Sequence, residues 1–235
     1  YYRRKRVLQL IVGIDLDNTI IDYRKAFWQT ALAAGIINKT DKNISIPNKS
    51  EIKNYLLRRK NGDFQWESLQ GQTYGKYIHN ATIYPGVANF LLHCKRREVE
   101  VYVISHKTEY GHHDKSKISL HEAALNFLEQ KNLLSGDFCI QSNDVFFFET
   151  RKEKVEKVSK LKCDYFIDDL PGVFAEPNFP RHTKKIHFDI DTKQLSGIKF
   201  NSWEKINKTI FGDIGKSDIQ FYVEGGLNKK VKAIH

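Results

Sequence analysis

The sequence predicts an α/β protein, a parallel doubly wound sheet carrying a small helical insertion. Three observations predict it. Val7 to Ile14 is an apolar run, interrupted only by Gln9 and Gly13, that stops at Asp15-Leu16-Asp17-Asn18-Thr19. Two further strand-like runs, Val99 to Ile104 and Asp164 to Ile167, also end in polar groups, Ser105-His106 and Asp168-Asp169. Segments with helical periodicity lie between them. Unalternating apolar runs suit strands buried on both faces, and strands that alternate with helices build parallel sheets. In such sheets ligands bind at the carboxyl ends of the strands.

Taken in order, the first strand feeds a helix from Tyr23, with Phe27, Ala31 and Ala34 at helical spacing. A polar stretch, Asn38 to Lys49, precedes two helix candidates, Glu51 to Arg59 and Phe64 to Tyr77. The segment Thr82 to Val87 closes this region at Pro85-Gly86. Residues 21–82 therefore read as a helical insertion, with Phe64, Trp66, Leu69 and Tyr74 as its core rather than as ligand contacts. Val87 to Arg97 is an amphipathic helix, residues 119–131 another, and Val145 to Phe148 a short strand. Lys152 to Leu161 is a basic helix with Val155, Val158 and Leu161 on one face. Lys185 to Phe188 is the last strand, and Ser202 caps a closing helix that opens with Trp203 and Glu204. Residues 1–20 with 83–212 thus form the core. Residues 213–235 form a tail whose role is unassigned; its Gly225-Gly226 turn lacks the strand-to-helix context of a dinucleotide loop.

A chain of 235 residues accommodates one sizeable core plus a small accessory unit. No run approaches the ~18 apolar residues of a membrane span, and no apolar signal core opens the chain. Cys94, Cys139 and Cys163 are scattered and free of CxxC spacing, which fits a reducing, cytoplasmic setting. The formal charge of +10 includes the Arg3-Arg4-Lys5-Arg6 run. No nucleic-acid motif accompanies it, so small anionic substrates are the expected partners and specific nucleic-acid binding is not expected. The chain contains no methionine and opens at Tyr1-Tyr2, compatible with a fragment or with modified methionines dropped from the sequence.

Asp15 and Asp17 either begin a polar loop that caps the next helix, or sit partly desolvated and need a cation to offset their repulsion. The other strand ends favour the second reading. Asp15 with Asp17, Ser105, and Asp168 with Asp169 all reach one sheet edge. Lys154 opens the helix before the last of these, with Arg151 and Lys152 as alternatives for its role. Four acids around one point call for a hard cation with oxygen ligands, and Mg²⁺ fits. A hydroxyl and an ammonium beside it would receive phosphoryl oxygens. His106, His112, His113 and His121 match no zinc spacing; His106, next to Ser105, is a candidate for touching substrate.

DLDNT (15–19), VISH (103–106), the Lys154 helix and FIDD (166–169) resemble motifs I to IV of the haloacid-dehalogenase-like (HAD) phosphohydrolase superfamily, in order, over roughly residues 8 to 210. Ser105 stands where Thr is commoner. The insertion resembles the helical cap of such enzymes. The resemblance implies a Rossmann-like core and a Mg²⁺-dependent phosphatase acting on a small phosphorylated metabolite, a sugar phosphate or a nucleotide. It implies that Asp15 is the nucleophile, that Asp17 is the general acid and base, and that Ser105, His106 and Lys154 bind the phosphate. Asp15, Asp17 (through its backbone carbonyl), Asp168 and Asp169 would hold the metal. An acid at Asp17 calls for surroundings that raise its pKa relative to Asp15. The alternatives are a phosphotransferase or phosphomutase of the same superfamily, or a non-catalytic module holding nucleic acid or a protein partner. Dehalogenation is disfavoured because it needs no acid at position 17.

Overall fold

A computed structural model describes residues 9–37, 49–134, 136–192 and 198–212. The opening apolar run forms β1 (Ile11–Ile14), followed by a two-residue strand β2 (Ile21–Asp22) and helix α1 (Arg24–Ala33). Helices α2 (Lys49–Leu57) and α3 (Gly62–Tyr74) come next, then β3 (Thr82–Ile83) and α4 (Val87–Arg96). The second half alternates through β4 (Glu100–His106), α5 (Leu120–Gln130), β5 (Val145–Phe148), α6 (Arg151–Lys160) and β6 (Tyr165–Asp168). It closes with α7 (Pro171–Phe174), β7 (Lys184–Phe188), β8 (Lys199–Phe200) and α8 (Trp203–Phe211).

Six strands make one parallel sheet in the order β5-β4-β1-β6-β7-β8. The chain winds outward from β1 in one direction, then in the other, which is the expected doubly wound α/β topology. Ile14 pairs with Val103 on one side and Ile167 on the other. Asp15 and Asp168 therefore leave the sheet at the same level, at the point where the winding reverses.

Side chains alternate between two apolar clusters, one on each face. Val12, Ile14, Val101, Val103 and Ile167 join α4, α5 and α8, and this cluster runs on into the buried residues of α1, α2 and α3. Ile104 and Phe166 point the other way, to Val155 and Val158 of α6 and Val173 and Phe174 of α7. Gly13 interrupts the first run because a Cβ there would meet Phe166 Cδ2 at 2.8 Å and Cys163 Sγ at 3.1 Å. Ser202 caps α8 as expected, its Oγ accepting from the Lys205 N–H. Gly86, at φ 91°, lets α4 begin directly beneath Trp203.

The differences from the sequence reading are local. α3 stops at Tyr74 because Gly75 leaves the helical conformation, and α2 begins at Lys49. The strands β2, β3 and β8 are unanticipated; at two residues each they are too short to show a period. Trp66 and Leu69 are buried, Trp66 stacking on Phe27 at 5.5 Å. Phe64 corrects the core assignment: it is 50% exposed and packs against the His113 ring. The Arg3–Arg6 run, residues 38–48 and the tail from 213 lie outside the described residues. No helix among the described residues is long and apolar enough to cross a membrane.

Candidate active site

Asp15 follows β1 directly, and its N–H donates to the Ile167 carbonyl (2.8 Å), extending the β1–β6 pairing by one residue. The chain then turns back. Asn18 is left-handed (φ 61°), its N–H donates to the Ile21 carbonyl (2.9 Å), and the N–H groups of Ile20 and Ile21 both reach the Leu16 carbonyl (3.0 Å). Asn tolerates that conformation better than most residues. Within the turn Thr19 is fully buried and donates its hydroxyl to Asp15 Oδ2 (3.2 Å). Its carbonyl accepts from Trp203 Nε1 (3.0 Å), so α8 braces the turn from behind.

The lysine comes from α6, whose first turn is fixed by a capping box. Thr150 Oγ1 accepts from the Glu153 N–H (3.2 Å), and Glu153 Oε2 accepts from the Thr150 N–H (3.0 Å). The buried face then carries Lys154, Val155 and Val158. Lys154 Nζ lies 2.5 Å from Asp15 Oδ1 and 2.6 Å from Asp168 Oδ2. Arg151 and Lys152 are exposed, so Lys154 alone of the three sits among the acids. At the end of β6, Asp168 is fully buried and its Oδ1 accepts from the Leu170 N–H (2.8 Å).

One carboxylate oxygen from each of Asp15, Asp168 and Asp169 lies within 4.8 Å of the others, the sole such group of metal-ligating side chains among the described residues. Burial lifts the Asp15 carboxyl to about 7; Lys154 pulls against this, and Asp168 and Asp17 add to it. Burial, with the charges of Asp15 and Asp168, also holds Asp169 well above the usual carboxylate range. Burial opposes the charge on Lys154, yet Asp15 and Asp168 keep its pKa above that of an ordinary lysine. One ammonium among two buried acids and the half-buried Asp169 makes an oxygen-only donor set that fits a hard divalent cation.

On β4, Ser105 is fully buried and its Oγ has no hydrogen-bond partner among the described residues. His106 sits at the rim, exposed, with Nε2 2.8 Å from the Glu149 carbonyl. Lys107 is the residue that sequence reasoning missed. Its ammonium is buried, paired with Asp17 Oδ2 at 2.7 Å and 4.4 Å from the Tyr74 ring centroid. The signal was available: Lys107 comes two residues after Ser105, just past the end of β4, and its N–H continues the ladder to the Phe148 carbonyl (2.9 Å), so it keeps the same face. The sequence places the raised acid at Asp17; burial raises Asp15 instead, and Asp17 is paired with Lys107. Of the remaining histidines, His113 lies 3.2 Å from Glu67, and His121 meets the Lys107 carbonyl at 2.8 Å.

Asp15, Asp17, His106, Lys107, Lys154 and Asp169 wall one cavity of about 370 Å³. The helical segment adds Lys49, Gln70 and Tyr74 to its lining. Lys49 donates to the Tyr74 hydroxyl at 2.9 Å. Burial opposes its charge, but Tyr74, Asp169 and Asp17 hold its pKa above the ordinary lysine value.

No protein-family model matches the sequence, and no curated protein matches it. Solved structures do. A predicted phosphatase from Clostridium acetobutylicum is 16% identical with a TM-score of 0.56, covering 86% of this chain and 98% of its own. The HAD-hydrolase YfnB from Bacillus subtilis, solved bound to magnesium, is 13% identical with a TM-score of 0.52, covering 87% and 99%. A HAD-superfamily hydrolase of subfamily IA from Geobacter sulfurreducens is 11% identical at 0.50, covering 86% and 96%. At these identities the likeness establishes the fold: the chain has the Rossmann-like α/β fold of HAD-superfamily hydrolases.

Proposed function

We propose that this chain is a Mg²⁺-dependent phosphoric monoester hydrolase that cleaves a small phosphorylated metabolite, a sugar phosphate or a nucleotide, through an aspartyl-phosphate on Asp15. The observation that carries the proposal is the setting of Asp15. It is a buried carboxylate at the exit of the central strand, oriented by Lys154 and Thr19, within an oxygen-only donor set.

In the first step a bond forms between an Asp15 oxygen and phosphorus as the bond to the leaving oxygen breaks. The leaving oxygen takes a proton from Asp17, which Lys107 holds in place through Oδ2 at 2.7 Å. In the second step Asp17 accepts a proton from water as that water attacks phosphorus, releasing phosphate and freeing Asp15. Ser105 Oγ and Lys154 Nζ receive phosphoryl oxygens, which gives the unpartnered hydroxyl its ligand, and His106 meets the ester at the rim. Asp15, Asp168 and Asp169, with the Asp17 backbone carbonyl, would hold Mg²⁺, which when bound screens the repulsion between the carboxylate and the anionic ester. The helices of residues 21–82 act as a cap that limits water at the reacting centre. Free thiols at Cys94, Cys139 and Cys163 agree with a cytoplasmic setting.

The test is Asp15→Asn, nearly isosteric but a poor nucleophile. Turnover of p-nitrophenyl phosphate and of phosphorylated metabolites with Mg²⁺ should vanish while the circular dichroism spectrum is retained. Full activity in this variant would sink the covalent mechanism.

A further inference from the structure

Beside the cavity at Asp15 lies a larger one of about 630 Å³ that the proposed chemistry leaves unused. The two share Asn18, Lys49, Gln70, Asp169 and Leu170 as walls, so they meet at Lys49. The charges around the larger cavity are unevenly committed. Arg24 binds both oxygens of Asp22, and Lys199 pairs with Asp189 at 2.9 Å. Asp169 belongs to the acid cluster, and Asp191 is exposed to solvent.

Lys49 and Lys53 differ from these. Among the described residues neither has a carboxylate within ion-pair distance. Lys49 donates to the Tyr74 hydroxyl and lies 5.5 Å and 5.6 Å from the Phe27 and Tyr74 ring centroids. Lys53 lies 5.7 Å from the Trp66 ring centroid. Aromatic faces and a hydroxyl hold an ammonium in place without neutralising it. The two lysines are also four residues apart on α2, so they share a helix face and repel each other. A bound anion would relieve both conditions at once.

We propose that the larger cavity is an anion subsite: the leaving group of the ester carries a second anionic group, a carboxylate or a phosphate, received by Lys49 and Lys53. The inference rests on the hydrolase reading of the adjoining cavity, and it narrows the substrate class to esters with two anionic ends.

Paired ligands test it in the Asp15→Asn protein, where binding is measured without turnover. Glycerol 3-phosphate is compared with 3-phosphoglycerate, and fructose 6-phosphate with fructose 1,6-bisphosphate, by calorimetry in Mg²⁺. The member with the second anion should bind about ten- to a hundredfold more tightly, the worth of a charge-assisted hydrogen bond. Lys49→Gln should reduce that ratio by about tenfold, Lys53→Gln by less because it is more exposed, and Lys49→Arg should largely restore it. A preference in one pair alone supports the subsite and tells carboxylate from phosphate. Equal affinity within both pairs, failure of both two-anion ligands to bind at millimolar concentration, or a ratio that Lys49→Gln and Lys53→Gln leave unchanged overturns the proposal. Loss of the hydrolase reading would show separately, as wild-type protein that turns over no ester.

Discussion

Replacing Lys154 by Met probes the charge balance on which the site depends. Lys154 is fully buried, with Nζ 2.5 Å from Asp15 Oδ1 and 2.6 Å from Asp168 Oδ2. Methionine keeps most of the apolar stem, so the change removes mainly the ammonium. Removing one partner of a buried ion pair costs ~3–5 kcal/mol because the other charge is stranded. Here two carboxylates are stranded, and they can escape only by binding protons. Burial already raises Asp15 from 3.8 to about 7. The folded state therefore holds a proton that the unfolded chain releases, and stability falls as pH rises from about 4 through about 7. Because Lys154 pulls the Asp15 pKa down, its removal carries that loss to higher pH. The deficit of Lys154→Met should be smallest at pH 5 and reach ~3–5 kcal/mol by pH 8. For a chain of this size that is a Tm drop on the order of 6–20 °C. Thermal and urea denaturation at the two pH values measure it, and Mg²⁺ should recover part of the loss by binding the folded state. A deficit below ~1 kcal/mol, or one equal at pH 5 and pH 8, refutes the reasoning.

Other expectations follow from the same geometry. Asp17→Asn should slow turnover by ~10²- to 10⁴-fold, and by less for p-nitrophenyl phosphate, whose leaving group needs little protonation; equal losses on good and poor leaving groups would remove Asp17 from the acid role. Asp168→Ala and Asp169→Ala should each raise the Mg²⁺ concentration needed for half-maximal activity, and titrations that overlay the wild type would show the cation is held elsewhere. Despite the formal charge of +10, any RNA or DNA binding should be weak and vanish near physiological salt, while turnover of a small ester persists there. Nanomolar binding at that salt, with a slope of ~0.7 to 0.9 per phosphate contacted, would instead assign the charge to a polyanion.

The sheet and its acid-bearing edge were legible because each strand carries its own signal. An apolar run ending in DLD, in SH or in DD states both a buried strand and what stands at its exit. Lys154 was legible as a type but not as a position, since Arg151, Lys152 and Lys154 differ only in helical phase. The capping box decides that phase, and it is visible in sequence as Thr150 and Glu153 three residues apart. Lys107 was passed over because a lysine after a strand ordinarily reads as solvated; only its alternation with Ser105 marks it as inward. The contribution of Lys49 could not be read at all, because it depends on how α2 packs against α3 and on Tyr74 being in reach.

The Thr150–Glu153 box has a further consequence for the energetics of the proposed reaction. In water an ammonium must shed solvent and swing into place whenever a phosphoryl group arrives, and that reorganisation adds to the barrier. Here the helix start, not the substrate, sets where Lys154 stands. Its direction is fixed once, when the chain folds, and does not have to be fixed again at each turnover. In the proposed reaction, Thr150 and Glu153 would thus preorganise the cation that receives the phosphoryl group without touching it themselves.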